Sequence, residues 1–223
     1  MNNVTAIILV AGSSTRYGQN RNKNFDKVNE KEIFLYSLEA FNNNKLVDDI
    51  IIVYKSGEEG IINNIIKKIT LNKPLKLVIG GNSRQESVYN ALTKTDSKTV
   101  IIQDGARPMI KQRFITECIN EMDSYYGATI AVKSKDTIKI SDDDGIVLQT
   151  TLRKNTWLIQ TPQCFNRQIL VEAHEKYKND NTITDDCMLL EKEGIKIKLI
   201  EGDYSNIKVT TFDDLNLVKS YLS

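Results

Sequence analysis

An α/β fold, a mainly parallel Rossmann-like sheet flanked by helices, is what this sequence predicts, and three observations carry the prediction. Short unbroken apolar runs of strand length alternate with longer stretches of helical period. A strand with no polar alternation is buried on both faces, as in a parallel sheet covered by helices. The runs end in glycines, small residues or an aspartate, the residue types that line ligand clefts at the carboxyl edge of such sheets.

The first strand is Ala6-Ile7-Ile8-Leu9-Val10. A helix is expected over residues 33–42, with Phe34, Leu35, Leu38 and Phe41 on one face. Asp49-Ile50-Ile51-Ile52-Val53-Tyr54 is a second buried strand, and residues 58–70 read as an amphipathic helix. Residues 75–79 form a third strand ending in Gly80-Gly81, after which residues 84–92 open another helix. Thr99-Val100-Ile101-Ile102-Gln103 is the fourth strand, ending at Asp104-Gly105. Strand, helix and strand at this spacing make βαβ units.

Beyond residue 127 the pattern changes. Strands are expected at 128–132, 137–140 and 146–150, the last two joined through Ser141-Asp142-Asp143-Asp144-Gly145, a hairpin turn ending in Asp-Gly. This insertion reads as a projecting β-hairpin arm, which either makes a dimer contact or covers its own site. The chain closes with helices over 165–178 and 185–193, a strand over 195–200 and a helix over 212–222. Residues 1–223 are expected to form a single domain.

Composition excludes several functions. With 30 basic and 29 acidic residues the net charge is +1, so the basic excess of a nucleic-acid protein is missing. Cys118, Cys164 and Cys187 are far apart, and His174 is the only histidine, which argues against a zinc site, a disulfide framework or a histidine-based triad. The thiols are expected to be buried and idle. His174, in a charge-rich helical segment, is expected at the surface. Met1-Asn2-Asn3 lacks the charge of a signal peptide, and no run reaches the ~20 apolar residues of a membrane span. The chain therefore reads as soluble and cytoplasmic.

Three loops carry the chemistry. After the first strand, Ala11-Gly12-Ser13-Ser14-Thr15-Arg16-Tyr17-Gly18 leads to Lys23. Small residues let backbone N–H groups approach an anion, and Arg16 and Lys23 add charge, a combination suited to a triphosphate. The loop matches neither the P-loop nor the dinucleotide-binding glycine pattern. After the third strand, Gly80-Gly81-Asn82-Ser83-Arg84-Gln85-Glu86-Ser87-Val88 allows close approach of a flat ligand, with Ser87 able to bond a base or ribose. After the fourth, Asp104-Gly105-Ala106-Arg107-Pro108 puts a carboxylate at a strand tip, where Mg²⁺ could sit near phosphates. Arg107 either joins that site or pairs with Asp104 to brace the loop. The triplet Asp142-Asp143-Asp144 is expected to be a solvated turn. Of Thr184-Asp185-Asp186, Thr184 or Asp185 caps a helix, and Asp186 is left free to face the site. Arg153 and Lys208 stand near strand-like segments, where together they could clamp a second phosphate.

The ordered set of these motifs, with Asp136-Thr137-Ile138-Lys139, residues 157–165 (W-x-x-Q-T-P-Q-x-F) and Ser205-Asn206-Ile207-Lys208-Val209-Thr210, resembles the 2-C-methyl-D-erythritol 4-phosphate cytidylyltransferase family over essentially the whole chain. The resemblance implies transfer of a cytidylyl group from CTP to methylerythritol phosphate, a step of non-mevalonate isoprenoid synthesis. It implies that Arg16 and Lys23 are catalytic and that Ala11, Gly12, Gly81, Ser87, Asp104 and Ala106 bind CTP. Asp104 would also hold Mg²⁺, and Thr137, Arg153 and Lys208 would position the acceptor. A homodimer would exchange an arm spanning about residues 134–156, so that Thr137 and Arg153 serve the neighbouring subunit. The family usually places proline before and glutamine after the catalytic lysine. Here Asn22-Lys23-Asn24 stands instead, which predicts a less rigid turn with Lys27 or Arg21 as substitutes. A pentitol-phosphate cytidylyltransferase acting on ribitol 5-phosphate is the related alternative, and a non-catalytic nucleotide-binding regulator the alternative of another class.

Overall fold

The structure, a computed structural model, describes residues 3–12 and 22–222. Its centre is a seven-stranded sheet made of β1 (Val4–Leu9), β4 (Asp49–Tyr54), β5 (Leu75–Ile79), β6 (Thr99–Asp104), β7 (Gly127–Lys133), β10 (Trp157–Asn166) and β11 (Ile197–Glu201), in the order β11-β7-β10-β6-β1-β4-β5. β1 pairs parallel with β4 and β6, β4 with β5, and β7 with β11. β10 is antiparallel to both neighbours, so it alone runs against the sheet among the described strands.

Alternate residues of the central strands enter different cores, which is why the runs lack polar breaks. Ile8, Ile50, Ile52 and Ile101 meet Phe34, Leu38 and Phe41 of α1 (Ile33–Asn42), Ile62 of α2 (Glu59–Ile66) and Phe114 and Ile115 of α4 (Gln112–Asn120). Ile7, Ile51, Val53 and Ile102 meet Val88 and Leu92 of α3 (Arg84–Leu92), Leu170 of α5 (Arg167–Lys176) and Leu189 and Leu190 of α6 (Asp186–Lys192). A smaller cluster ties Val28 of the short ribbon β2 (Lys27–Val28) and β3 (Lys31–Glu32) to Leu215 and Val218 of α7 (Phe212–Leu222).

The expected helix over 165–178 starts later. Phe165 lies within β10, and Asn166, the last residue of that strand, caps α5 by accepting from the Ile169 N–H at 3.2 Å. The motif 157–165 hides its strand because polar Gln160, Thr161 and Gln163 are buried in it, and its register shifts between Ile159 and Gln163, where Pro162 falls. Helix α4 has no counterpart among the expected elements, although its Phe114, Ile115, Cys118 and Ile119 hold helical spacing.

The arm is a separate antiparallel pair, β8 (Lys139–Ser141) and β9 (Val147–Thr150), exposed throughout. Asp142 Oδ1 accepts from the Asp144 and Ile146 N–H groups, and Gly145 takes φ +81°, so the acidic triplet is an exposed turn. All three cysteines are buried and unbridged, and burial raises their thiol pKa values. Among the described residues no helix is long and apolar enough to cross a membrane.

Candidate active site

The carboxyl ends of β1, β4, β5 and β6 surround a cleft of about 830 Å³. Ala11 and Gly12 follow β1, Gly80, Gly81, Arg84 and Ser87 follow β5, and Asp104 and Ala106 form the β6 wall, with Lys23, Thr184 and Lys208 closing the rim. The glycines are a steric requirement. A Cβ on Gly80 would lie 2.8 Å from Ser87 Oγ and 2.9 Å from the Ala11 Cβ, and one on Gly81 would lie 2.2 Å from the Glu86 side chain. The first turn of α3 shapes this loop: Ser83 Oγ accepts from the Glu86 N–H, while Ser87 Oγ donates to Ser83 O and accepts from the Gly81 N–H.

Asp104 is the electrostatic centre. Lys208 Nζ lies 2.8 Å from its Oδ2, Arg107 Nε 3.8 Å from the same oxygen, and Arg84 Nε 3.8 Å from Oδ1. Burial alone would raise its pKa, but Lys208, then Arg84 and Arg107, outweigh that and hold the carboxyl well below the usual range. Lys208 arrives there because the Val209 N–H donates to Ala106 O at 2.8 Å, laying the chain along the β6 loop. Arg107 takes the bracing role: its side chain is only 11% exposed, donates to Asn206 O at 2.7 Å and does not line the cleft. Burial lowers its pKa, with Asp104 opposing.

Lys23 lines the cleft from a short 3-10 turn, Lys23–Phe25. The expected looseness of that turn is corrected by its flanking asparagines, which are buried. Asn22 Nδ2 donates to Val10 O at 2.6 Å and to Glu58 Oε2 at 3.0 Å, while its Oδ1 accepts from the Asn24 N–H at 3.1 Å. Asn24 Nδ2 also reaches Val10 O, at 3.2 Å. Side-chain hydrogen bonds thus tie the turn to the end of β1, the task a proline ring would do by restricting φ. Lys27 is no substitute, because it points to Glu30 at 3.7 Å and does not line the cleft. Arg16 and Arg21 lie outside the described residues.

Thr137 and Arg153 are not in this cleft. They meet each other on the arm, where Arg153 Nη2 donates to Thr137 Oγ1 at 2.7 Å. His174 is not at the surface either: it is 2% exposed and shares a hydrogen bond with Asp186 at 3.1 Å. Its helix presents that face to its neighbours, and a polar partner makes burial tolerable. Asp185 is the cap of α6, its Oδ1 accepting from the Met188 N–H at 3.1 Å. Sequence reading gave Arg84 no role and left Asp186 free to face the site; Asp186 does not line the cleft but is buried behind it, bonded to Arg84 and His174. The signals of Arg84 and Asp186 were the arginine of the G-G-x-x-R stretch and the second acid of T-D-D, each at the first position of a helix.

A mainly parallel sheet with a glycine loop, an ionised strand-tip carboxylate and convergent lysines at one edge defines a nucleotidyltransferase. The family model for 2-C-methyl-D-erythritol 4-phosphate cytidylyltransferase (IspD) matches residues 4–223, and the chain belongs to that family of cytidylyltransferases. It is 41% identical over 224 residues to the 2-C-methyl-D-erythritol 4-phosphate cytidylyltransferase of Caldanaerobacter subterraneus subsp. tengcongensis, covering 99% of both chains. The crystal structure of 4-diphosphocytidyl-2C-methyl-D-erythritol synthase from Anaerococcus prevotii is similar at a TM-score of 0.88 and 33% identity, over 99% of this chain and 98% of that one. The Francisella tularensis 2-C-methyl-D-erythritol 4-phosphate cytidylyltransferase structure is similar at a TM-score of 0.81 and 30% identity, over 98% and 99% of the two chains.

Proposed function

We propose that this chain transfers the cytidylyl group of CTP to 2-C-methyl-D-erythritol 4-phosphate, giving CDP-methylerythritol and pyrophosphate. The observation that carries the reading is the convergence of Lys23, Asp104 and Lys208, far apart in sequence, on one cleft beside the Gly80-Gly81 loop. Cytidine triphosphate rests against Ala11, Gly12, Gly81, Ser87 and Ala106. An oxygen of the acceptor phosphate attacks the α-phosphorus in line, one P–O bond forms, and the bond to pyrophosphate breaks. The acceptor phosphate is already ionised near neutral pH, so no general base is required. Negative charge grows on the α-phosphate oxygens and the leaving group, and Lys23 stabilises it from a fixed turn. Arg16 shares that role on the family resemblance alone.

The donor set suits Mg²⁺. Asp104 supplies one ionised oxygen ligand, and this ion is commonly held by one or two carboxylates with substrate phosphates and water completing the shell. Among the described residues no cluster of three or more metal-ligating side chains stands ready, so the nucleotide would bring the remaining donors. When bound, the ion supplies further charge neutralisation on the phosphates.

Lys208 is the acceptor-phosphate cation on this side of the cleft, and Thr137 and Arg153 reach the equivalent cleft of a second copy through an exchanged arm. Two facts support the dimer. The arm carries exposed Ile146, Val147, Leu148 and Leu152, and a lone two-stranded ribbon is marginal in water. The reaction's substrates are water-soluble, which supports a cytoplasmic location for the chain.

Pyrophosphate release from CTP and Mg²⁺, measured with each acceptor, tests the reading. Turnover with methylerythritol phosphate well above that with ribitol 5-phosphate is expected. Equal or faster turnover with ribitol 5-phosphate overturns the acceptor, and silence with both overturns the catalysis.

A further inference from the structure

Four ionisable side chains from four different elements form a line that runs from the cleft into the protein behind it. Asp104 of β6 faces the cleft, and Arg84 of α3 lies next, its Nε 3.8 Å from Asp104 Oδ1. Arg84 Nη1 donates to Asp186 Oδ2 of α6 at 2.7 Å, and Asp186 Oδ1 meets His174 Nε2 of α5 at 3.1 Å. Asp186 and His174 are 1% and 2% exposed, so water does not complete either side chain's bonding. Nothing in the proposed chemistry uses them.

The geometry gives each member a task. The two Asp186 oxygens have separate partners, so a donor on Oδ1 prevents the carboxylate from swinging and aims Oδ2 at Arg84. A carboxylate only accepts, hence His174 Nε2 carries the hydrogen. His174 Nδ1 has no hydrogen-bond partner among the described residues, so its polar function is spent on Asp186. The ring packs on Tyr89 of α3, centroids 6.1 Å apart, which seats the histidine against the helix that carries Arg84. The start of α6 is itself pinned to the sheet, Gln163 Nε2 of β10 donating to Asp185 Oδ2 at 2.8 Å.

The anchor decides where the guanidinium sits. Arg84 lines the cleft, and Asp104 already has Lys208 at 2.8 Å. Arginine prefers a direct, two-pronged contact with a carboxylate. Released from Asp186, Arg84 would close on Asp104 and occupy the oxygens that a cation arriving with the nucleotide requires. Held at its far end, it stays near Asp104 without covering it. We propose that Asp186 and His174 are positioning residues that hold Arg84 off Asp104, keeping that carboxylate open to the divalent cation that accompanies the nucleotide. This rests on the functional reading above, in which the cleft binds CTP with Mg²⁺ at Asp104.

The readout is the Mg²⁺ concentration that half-saturates CTP binding, measured by titration calorimetry on the full chain, with thermal melting alongside each variant. Asp186→Asn is expected to raise that concentration about tenfold, the effect of losing one charge-assisted hydrogen bond. In an Arg84→Ala background the same substitution should change it by less than twofold, because no guanidinium remains to close on Asp104. His174→Gln, whose amide can still donate, should stay near wild type, whereas His174→Phe should follow Asp186→Asn. The histidine pair keeps the test open should the Asp186 variant fold poorly. The proposal is overturned by an Asp186→Asn protein that melts lower yet needs no more Mg²⁺, or by an equal rise in both Arg84 backgrounds. It is also overturned if His174→Gln and His174→Phe behave alike. Wild-type protein that binds no CTP at any Mg²⁺ concentration sinks the functional reading, and the device with it.

Discussion

Asn22→Ala is the perturbation that bears most directly on how Lys23 is held. Asn22 takes part in four side-chain hydrogen bonds: to Val10 O at 2.6 Å, to Glu58 Oε2 at 3.0 Å, from the Asn24 N–H at 3.1 Å and from Asn24 Nδ2 at 2.9 Å. They do not all count fully. Asn24 Nδ2 keeps its own bond to Val10 O at 3.2 Å, and Glu58 is half-buried and regains water. Two bonds at about 1 kcal/mol each give an expected loss of about 2 kcal/mol. For a chain of this length that is a fall of about 4–8 °C in Tm. Because small displacements of a catalytic group are costly, kcat should drop by about tenfold or more, but less than the roughly 10²- to 10³-fold loss expected for Lys23→Ala. Asn22 has φ −72°, within the proline range, so Asn22→Pro should fall between wild type and Asn22→Ala. Thermal melting and pyrophosphate release read the two effects separately. A variant within about 0.5 kcal/mol of wild type and turning over at the wild-type rate would refute the anchoring argument, since surface substitutions commonly stay inside that margin.

Three further outcomes are expected. Gly80→Ala places a methyl group 2.8 Å from Ser87 Oγ and 2.9 Å from Ala11, so it should cost about 1–3 kcal/mol and raise the KM for CTP, read by melting and initial rates. Asp104 has its pKa depressed from 3.8, so its stabilisation is present above that value and lost as pH falls below it; Asp104→Asn, without metal, should be less stable at neutral pH and show a shallower acid decline in Tm. An equally steep decline would remove Asp104 from the acid limb. Leu148→Lys puts a charge on the exposed apolar arm and should yield monomers by light scattering, with CTP binding kept and turnover lost; a dimer with full turnover would disprove the exchanged arm.

The central strands were legible because burial on both faces leaves an unbroken apolar signature, as in Ile50-Ile51-Ile52-Val53. The glycine loop and the Asp104 tip were legible because glycines and a lone carboxylate directly after apolar runs stand out in sequence at the strand ends where such sheets bind ligands. β10 was not, because its buried glutamines and threonine bond to partners distant in sequence, such as Asn206 Nδ2 on Gln160 Oε1 at 3.1 Å. His174 was misplaced because the charged residues around it, Glu172, Glu175 and Lys176, mark a solvated segment, whereas the acid that lets it be buried, Asp186, arrives from the next helix.

By itself, then, the sequence determined the sheet class, the family and the loops that face the cleft, since each is written in local pattern and spacing. Only the tertiary structure decided how Lys23 is fixed, what surrounds Asp104, and that Arg84, Asp186 and His174 form one line. Those depend on which side chains meet across distant elements, Arg84 and Asp186 being 102 residues apart, and chain order does not encode that proximity.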